Sequence, residues 1–317
     1  MLSSTQAPHK EKLAAICTRM PNNALVAAEC ASLTGGVPDI DGFAFCQRVE
    51  HIPQSAYVRM GLRILASSPT LDDLIEVVAQ TDFSADEFRI EFCSLSPENR
   101  IHPRQSILAL ANAIPFYPNL NHPKHRFLLV ERQENLWLGE ILSECEHSYQ
   151  IHATKPYNIS SSLSSRISRA LVNLVIPQAH SLLDPCCGTG SILLEAQALG
   201  IQAYGGDLNK RMVGMTRKNL AHFDYAAKVE QADARTCQQK ADALVTNLPY
   251  GRFLDANETV IRAILENGRK LAPVAIYVTE YDLTDWLVAA GYRNVAIYPV
   301  AKHDNFVRYV HLARRPE

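Results

Sequence analysis

The chain has 317 residues, 47% of them hydrophobic, and a net charge of −2, which predicts about two domains with packed cores. No internal repeat or low-complexity tract appears. No apolar run reaches the roughly 18 residues of a membrane span, so no membrane partner is expected. Eight cysteines without a C-x-x-C pair exclude a zinc ribbon or a disulfide framework; they point to reduced thiols in the cytoplasm, with no metal site expected.

Residues 1–12 contain no apolar signal core. Residues 56–65 and 71–79 read as helices, the second behind a Thr70 cap with Asp72 and Asp73 in its first turn. Residues 88–93 read as a strand, 105–113 as a helix, and 126–131 with 136–141 as a hairpin turning at Gln133-Glu134-Asn135. Residues 118–123 form a loop whose neighbours Lys124, His125 and Arg126 suit either phosphate contacts or a solvated turn. The sequence changes character across the polar, Pro- and Ser-containing stretch 147–162. The expected division is therefore an amino-terminal α+β domain, 1–150, and a second domain, 151–317. Twelve basic residues meet eighteen acidic ones before position 150, a balance of −6, against +4 after it. A nucleic-acid ligand would have to find a local stripe in such a chain. Arg100, Arg104, Lys124, Arg126, Lys155, Arg166 and Arg169 are the candidates.

Residues 164–174 read as an amphipathic helix with Arg166 and Arg169 one turn apart. Residues 181–184 are apolar enough for a buried parallel strand and run into Asp184-Pro185-Cys186-Cys187-Gly188-Thr189-Gly190. Gly188 and Gly190 let the backbone turn tightly and lie close to a ligand before a helix over 191–199. Such a loop aims backbone N–H groups above the carboxyl end of its strand. A dinucleotide fingerprint needs a third glycine, and a phosphate loop needs a Lys-Ser/Thr pair. Neither is present, and an acid opens the loop, which favours a cationic, phosphate-free ligand; S-adenosyl-L-methionine fits that description. Cys186 and Cys187 read as small packing residues rather than nucleophiles.

About 20 residues on, the strand 203–207 ends in Asp207, placed either to take both ribose hydroxyls or to cap the helix that follows to about Phe223. A third strand, 229–234, brings Asp233 to where an adenine amino group would donate, or to a turn that it caps itself. A strand over 243–246 leads into Asn247-Leu248-Pro249-Tyr250. Residues 271–279 read as a strand, 283–290 as a helix, and 295–300 with 307–313 as an antiparallel pair across the turn 302–305. That turn puts His303, Asn305 and Arg308 either beside the pocket or on the surface.

From Leu183 to Gly251 these motifs resemble class I S-adenosylmethionine-dependent methyltransferases, whose glycine loop, ribose acid, adenine acid and N-x-P-Y tetrad occur in this order. The resemblance implies an α/β, Rossmann-like, seven-stranded methyltransferase domain. It also implies cofactor contacts from Asp184, Cys186, Gly188, Thr189, Gly190, Asp207, Leu208, Asp233, Ala234 and Asn247. In that family the Asn side chain and the following carbonyl receive the hydrogens of a substrate amine while the aromatic stacks on the base. Those roles fall here to Asn247, Leu248 and Tyr250, with Pro249 stiffening the turn. The commonest tetrad has Pro where this chain has Leu248, a tolerable change because that position contributes a carbonyl. Such sites methylate adenine, the 2-amino group of guanine, or a glutamine side chain.

Lys155-Pro156 followed by Arg166-Ile167-Ser168-Arg169-Ala170-Leu171-Val172-Asn173-Leu174 resembles the tRNA guanine-N2 methyltransferases that carry a THUMP RNA-binding domain, the guanosine-10 group. This implies a tRNA partner, a THUMP-like amino-terminal domain, and substrate contacts from Lys155, Arg166, Arg169 and Tyr250. It specifies no activator subunit. The alternatives are the same chemistry on ribosomal RNA guanine, DNA adenine or protein glutamine, or a non-catalytic RNA-binding protein that retains the pocket.

Overall fold

The computed structural model describes residues 12–18, 24–81, 85–97, 100–176, 179–249, 258–303 and 306–316. The chain forms two compact units: residues 1–21, 33–53 and 58–145 make the first, and 22–32, 54–57 and 146–317 make the second.

The first unit is a six-stranded sheet in the order β2-β1-β3-β6-β5-β4, built from β1 (Leu13–Cys17), β2 (Phe43–Cys46), β3 (Val58–Ser68), β4 (Phe88–Ser94), β5 (His125–Arg132) and β6 (Asn135–Glu144). Alternation along β5 sends Phe127 and Leu129 to one face and Leu128 and Val130 to the other. The first pair packs with Leu74 and Val78 of α2 (Leu71–Gln80) and Leu110 of α3 (Pro103–Ala113). The second pair packs with Ile16, Phe43 and Leu62. Thr70 caps α2 by accepting from the Asp73 amide at 3.2 Å, as its sequence implies, and Pro103 opens α3 where a missing N–H costs nothing.

The helix expected over 56–65 is instead mostly strand. Residues 58–68 form β3, paired antiparallel with β1 on one side and β6 on the other. Irregularities in the β3–β6 register at Gly61/Leu62 and at Ile64/Ala66 break the two-residue alternation that would have marked it. A Cβ on Gly61 would lie 2.6 Å from that of Val49, a close approach that only glycine permits. The helix α1 (Ala24–Thr34), with β1 and β2, was absent from the sequence expectations. Its sequence ALVAAECASLT is apolar on nearly every face and lacks a helical alternation.

The second unit has a seven-stranded sheet in the order β12-β13-β11-β10-β7-β8-β9. Its strands are β7 (Ser181–Asp184), β8 (Gln202–Asp207), β9 (Lys228–Gln231), β10 (Ala243–Asn247), β11 (Val274–Thr279), β12 (Arg293–His303) and β13 (Phe306–Arg314). Strands β7 to β11 pair in parallel, and β13 pairs antiparallel with both β11 and β12. The helices are α4 (Ser165–Asn173), α5 (Ser191–Ala198), α6 (Lys210–His222), α7 (Glu258–Leu271) and α8 (Thr284–Ala289). The elements expected after residue 160 all appear, although β9 stops at Gln231 and leaves Asp233 in the turn beyond it. Strand order reverses between β7 and β10, so Asp184 and Asn247, the last residues of those strands, meet at the point where open parallel sheets bind ligands.

Candidate active site

The loop between β7 and α5 is held from several sides. Gly188 and Gly190 adopt φ of 54° and 83°, the left-handed region that favours glycine. A Cβ on Gly190 would also lie 2.8 Å from Cγ2 of Thr216. Thr216, on α6, donates its hydroxyl to the Gly188 carbonyl at 2.7 Å, and Asn219 one turn on donates Nδ2 to the Thr189 carbonyl at 2.8 Å. The Gly188 amide donates to Oδ2 of Asp207 at 2.9 Å, and the Asn209 amide donates to Oδ1 at 2.8 Å. Asp207 therefore does not cap α6. Asn209 does, accepting from the Arg211 amide at 2.9 Å. Burial raises the Asp207 carboxyl above its usual range, against the pull of those two amides.

Asp184 is 2% exposed. Burial pushes its carboxyl up to about 7, and the nearby Asp207 charge adds to this; the Thr246 hydroxyl, donating at 2.6 Å, and the Cys186 amide oppose it. Thr246 thus ties the end of β10 to the end of β7. Burial also raises the Cys186 and Cys187 thiols, with Asp184 adding to the effect, so both are poor nucleophiles.

A cavity of about 470 Å³, within the range of small-molecule sites, is lined by Cys186, Gly188, Asp207, Leu208, Asp233, Ala234, Asn247, Leu248 and Pro249 among others. A smaller cleft beside it is lined by Asp184, Cys186, Gly188, Thr189, Ser161 and Asn247. Gly190 lines neither and serves the loop's shape. Asp233 accepts from Arg235 through both carboxylate oxygens, at 2.6 to 3.0 Å, and that partner lowers its pKa. It also accepts from the Arg235 amide, the turn-capping alternative named from its sequence.

Asn247 closes β10 with its amide fixed. Nδ2 donates to the Ser161 carbonyl at 3.3 Å, while Oδ1 is buried and has no hydrogen-bond partner among the described residues. The Leu248 amide is held by the Val278 carbonyl at 3.0 Å, which sets the turn into Pro249. Tyr250 and Asn305 lie outside the described residues, as does the side chain of His303. Arg308 is buried at 3% exposure.

The expected basic contacts are placed otherwise than sequence suggested. Lys155 is buried and gives its ammonium to the Ser191 hydroxyl at 2.9 Å; burial lowers its pKa, with Glu195 opposing. Arg169 is 1% exposed and donates Nε to Glu195 Oε2 at 2.8 Å, and to the Gln54 carbonyl and the Ser148 hydroxyl. Glu195 also meets His152 at 2.7 Å. Neither side chain is presented to solvent: Arg169 lies on the inward face of α4, and Lys155 is buried ahead of that helix. Arg166 donates to the Ala56 carbonyl at 3.0 Å and lies 4.6 Å over the Tyr57 ring. In the first unit, Lys124 pairs with Asp86 and Glu87, Arg126 with Glu91 and Glu144, and Arg100 with Glu131. Carboxylates of that half thus pair three of the expected basic residues, while Arg104 is exposed. Sequence reasoning missed Ser161, Thr216, Asn219 and Thr246, whose hydrogen bonds bridge 28 to 86 residues.

Residues 152–275 match the family UPF0020, described as RMKL-like, methyltransferase domain. A tRNA (guanine(10)-N2)-dimethyltransferase of Methanothermobacter thermautotrophicus is 40% identical over 130 residues, which cover 40% of this chain and 37% of that protein. The enzyme of the same name from Pyrococcus abyssi is 28% identical over 215 residues, covering 61% of this chain and 63% of that protein. The chain thus spans between about a third and two thirds of these relatives' lengths. The crystal structure of TrmN from Thermus thermophilus superposes with a TM-score of 0.52 at 19% identity, covering 96% of this chain and 99% of that one. The second unit therefore has the methyltransferase fold, and the chain resembles the tRNA guanine-N2 methyltransferases. Among the described residues no helix is long and apolar enough to cross a membrane.

Proposed function

We propose that this chain transfers a methyl group from S-adenosyl-L-methionine to the exocyclic 2-amino group of a guanosine in tRNA, as the names of its relatives describe for those proteins. The observation that carries this is the buried Oδ1 of Asn247, without a hydrogen-bond partner among the described residues, on a residue that lines a cavity shared with the glycine loop. A buried carbonyl oxygen left without a donor costs about 1–3 kcal/mol. A substrate N–H supplies the donor it lacks.

The residues present suit the cofactor. The left-handed glycines shape a cradle over the β7 end, Asp207 faces the larger cavity, and Asp184 provides an acidic group beside the smaller cleft, its carboxyl pushed up to about 7 by burial. When bound, S-adenosyl-L-methionine supplies an electrophilic methyl group on a cationic sulfur. Asp207, Leu208, Asp233 and Ala234 would hold its nucleoside part, and Asp184, Cys186, Gly188 and Thr189 the remainder.

The amine of guanine is a weak nucleophile because its lone pair is delocalised into the ring. Asn247 Oδ1 and the Leu248 carbonyl accept its hydrogens and favour the pyramidal nitrogen that can attack, while Tyr250 stacks on the base. Position and preorganised acceptors carry the acceleration, with no strong base required. The guanine must leave its stack to reach the cavity. The first unit, read as THUMP-like, would hold the RNA, and cysteines that form no disulfide suit a reducing cytoplasm.

The test is incubation with methyl-labelled S-adenosylmethionine and unmodified tRNA, then digestion and mass spectrometry of the labelled nucleoside. Labelled N2-methylguanosine supports the proposal. Labelled N6-methyladenosine, or label in protein alone, overturns the substrate; RNA and cofactor binding without transfer overturns the activity.

A further inference from the structure

The orientation of Asn247 is set by a segment outside the strand that carries it. We propose that the turn formed by residues 159–163 is a positioning element for methyl transfer: its Ser161 carbonyl requires an amide at position 247 and turns that amide's oxygen away from itself, toward the substrate. This rests on the role given to Asn247 above.

A main-chain carbonyl only accepts, so the side chain facing Ser161 must present a donor. At 3.3 Å that donor is Nδ2, and Oδ1 is left buried without a partner among the described residues. Ser161 lines both the cavity and the smaller cleft, so the contact sits at the site itself. The turn is anchored at both ends. The Tyr157 amide donates to Asn219 Oδ1 at 2.9 Å, and Asn219 Nδ2 returns a bond to the Tyr157 carbonyl at 2.8 Å. The Ser162 amide donates to the Ile159 carbonyl at 3.0 Å, and the Ser162 hydroxyl meets Thr189 Oγ1 at 2.9 Å and the Ile159 amide at 3.4 Å. Thr189 belongs to the glycine loop, so one hydrogen-bonded path joins that loop to the acceptor amide.

The consequence is a discrimination between Asn and Asp. A carboxylate at position 247 would set an oxygen against the Ser161 carbonyl, two acceptors with no proton between them. It must then rotate out of place or take up a proton, becoming a donor toward Ser161. The ionisable groups lining the two cavities are Asp184, Cys186, Cys187, Asp207, Asp233 and Arg235. Their carboxylates and the burial of the site also favour a protonated acid, so the share due to the turn has to be isolated.

The experiment uses the full chain carrying Asn247→Asp with 13C-labelled aspartate, its new carboxyl resonance assigned by absence from the wild type and followed through a pH titration. The introduced carboxyl is expected to titrate well above the ordinary value of about 3.9. Adding Ser162→Ala, which cuts the hydroxyl's ties to Thr189 and the Ile159 amide and keeps the main-chain bond to the Ile159 carbonyl, is expected to lower that midpoint by about one pH unit or more. Ser162→Thr, which keeps the hydroxyl, is expected to restore it. An ordinary midpoint, or one unmoved by Ser162→Ala, overturns the proposal. Neither readout needs turnover, so a wild type that methylates nothing overturns the proposed function without touching this result. Where the wild type is active, the rate of Asn247→Asp should rise toward acid pH with cofactor affinity within about twofold of wild type. A pH profile superposable on the wild type overturns the positioning role.

Discussion

Replacing Asp184 by Asn should change the pH dependence of stability by an amount set by one buried carboxyl. Asp184 is 2% exposed, and burial lifts its folded-state pKa from 3.8 to about 7. Because the folded value is raised, the native protein keeps a proton that the unfolded chain has released. The associated stability is fully present below pH 3.8 and is lost as pH rises through 7. At 1.36 kcal/mol per unit, the whole shift of roughly three units corresponds to at most about 4 kcal/mol, of which about 2–3 kcal/mol falls between pH 5 and pH 8.5. Asn keeps an oxygen to accept from the Thr246 hydroxyl and the Cys186 amide and does not titrate. The gap between variant and wild type should therefore move by about 2–3 kcal/mol in favour of Asp184→Asn over that range. Urea unfolding followed by Trp286 fluorescence in a Trp137→Phe background reports the second unit, because those are the two tryptophans and Trp137 belongs to the first. Glu29, also raised by burial, is common to both proteins and cancels in the difference. A gap that stays constant within about 0.5 kcal/mol would show that Asp184 ionises freely in the folded state and would refute the reasoning.

Asn247→Ala removes the acceptor at the cavity wall and should lower kcat by about 100-fold or more, the scale of losing one preorganised hydrogen-bonding group; calorimetry should find cofactor Kd within about threefold of wild type, and a tenfold weaker Kd would assign Asn247 to the cofactor instead. Asp207→Ala strips the Gly188 and Asn209 amides of their acceptor and should weaken cofactor binding by about tenfold or more, measured by the same titration; unchanged affinity would remove Asp207 from the site. Glu29→Ala leaves Ser55 Oγ, the Ala56 and Tyr57 amides and Asn173 Nδ2 without their shared acceptor in the interior. It should destabilise the second unit by about 3 kcal/mol or more, read as a lower urea midpoint, and a loss below about 1 kcal/mol would show that water replaces the carboxylate.

The parts of this protein legible in its sequence are those whose cause is local. The β7 strand, the two left-handed glycines and the carboxylates ending β7 and β8 announce themselves because each requirement falls within a few residues. The cap of α2 is legible for the same reason. Strand β3 was not, because its alternation is broken where the β6 pairing slips, and pairing is a property of the partner strands. The basic residues failed differently. Arg169 and Lys155 follow a family pattern that sequence reads as positive charge toward a ligand. Whether a cation faces solvent or an internal carboxylate depends on Glu195, 26 and 40 residues further along the chain.

The same distinction separates the residues of the candidate site, which the sequence singles out, from the bonds that orient them. Asn247 is conspicuous in the tetrad, but an asparagine offers both a donor and an acceptor, and only the Ser161 carbonyl, 86 residues earlier, decides which end faces the cavity. Thr246 looks like one more β-branched strand residue, yet its hydroxyl bonds to Asp184 across 62 residues and joins the cofactor loop to the tetrad. The second tie arises because the order of the sheet places β7 beside β10, so topology creates a contact that no local pattern announces. In the function proposed above, the bond to Ser161 is what turns the Asn247 oxygen into an acceptor for an amine. Changes that spare every motif residue but loosen Ser162 or Thr246 should therefore act on turnover before they act on cofactor affinity.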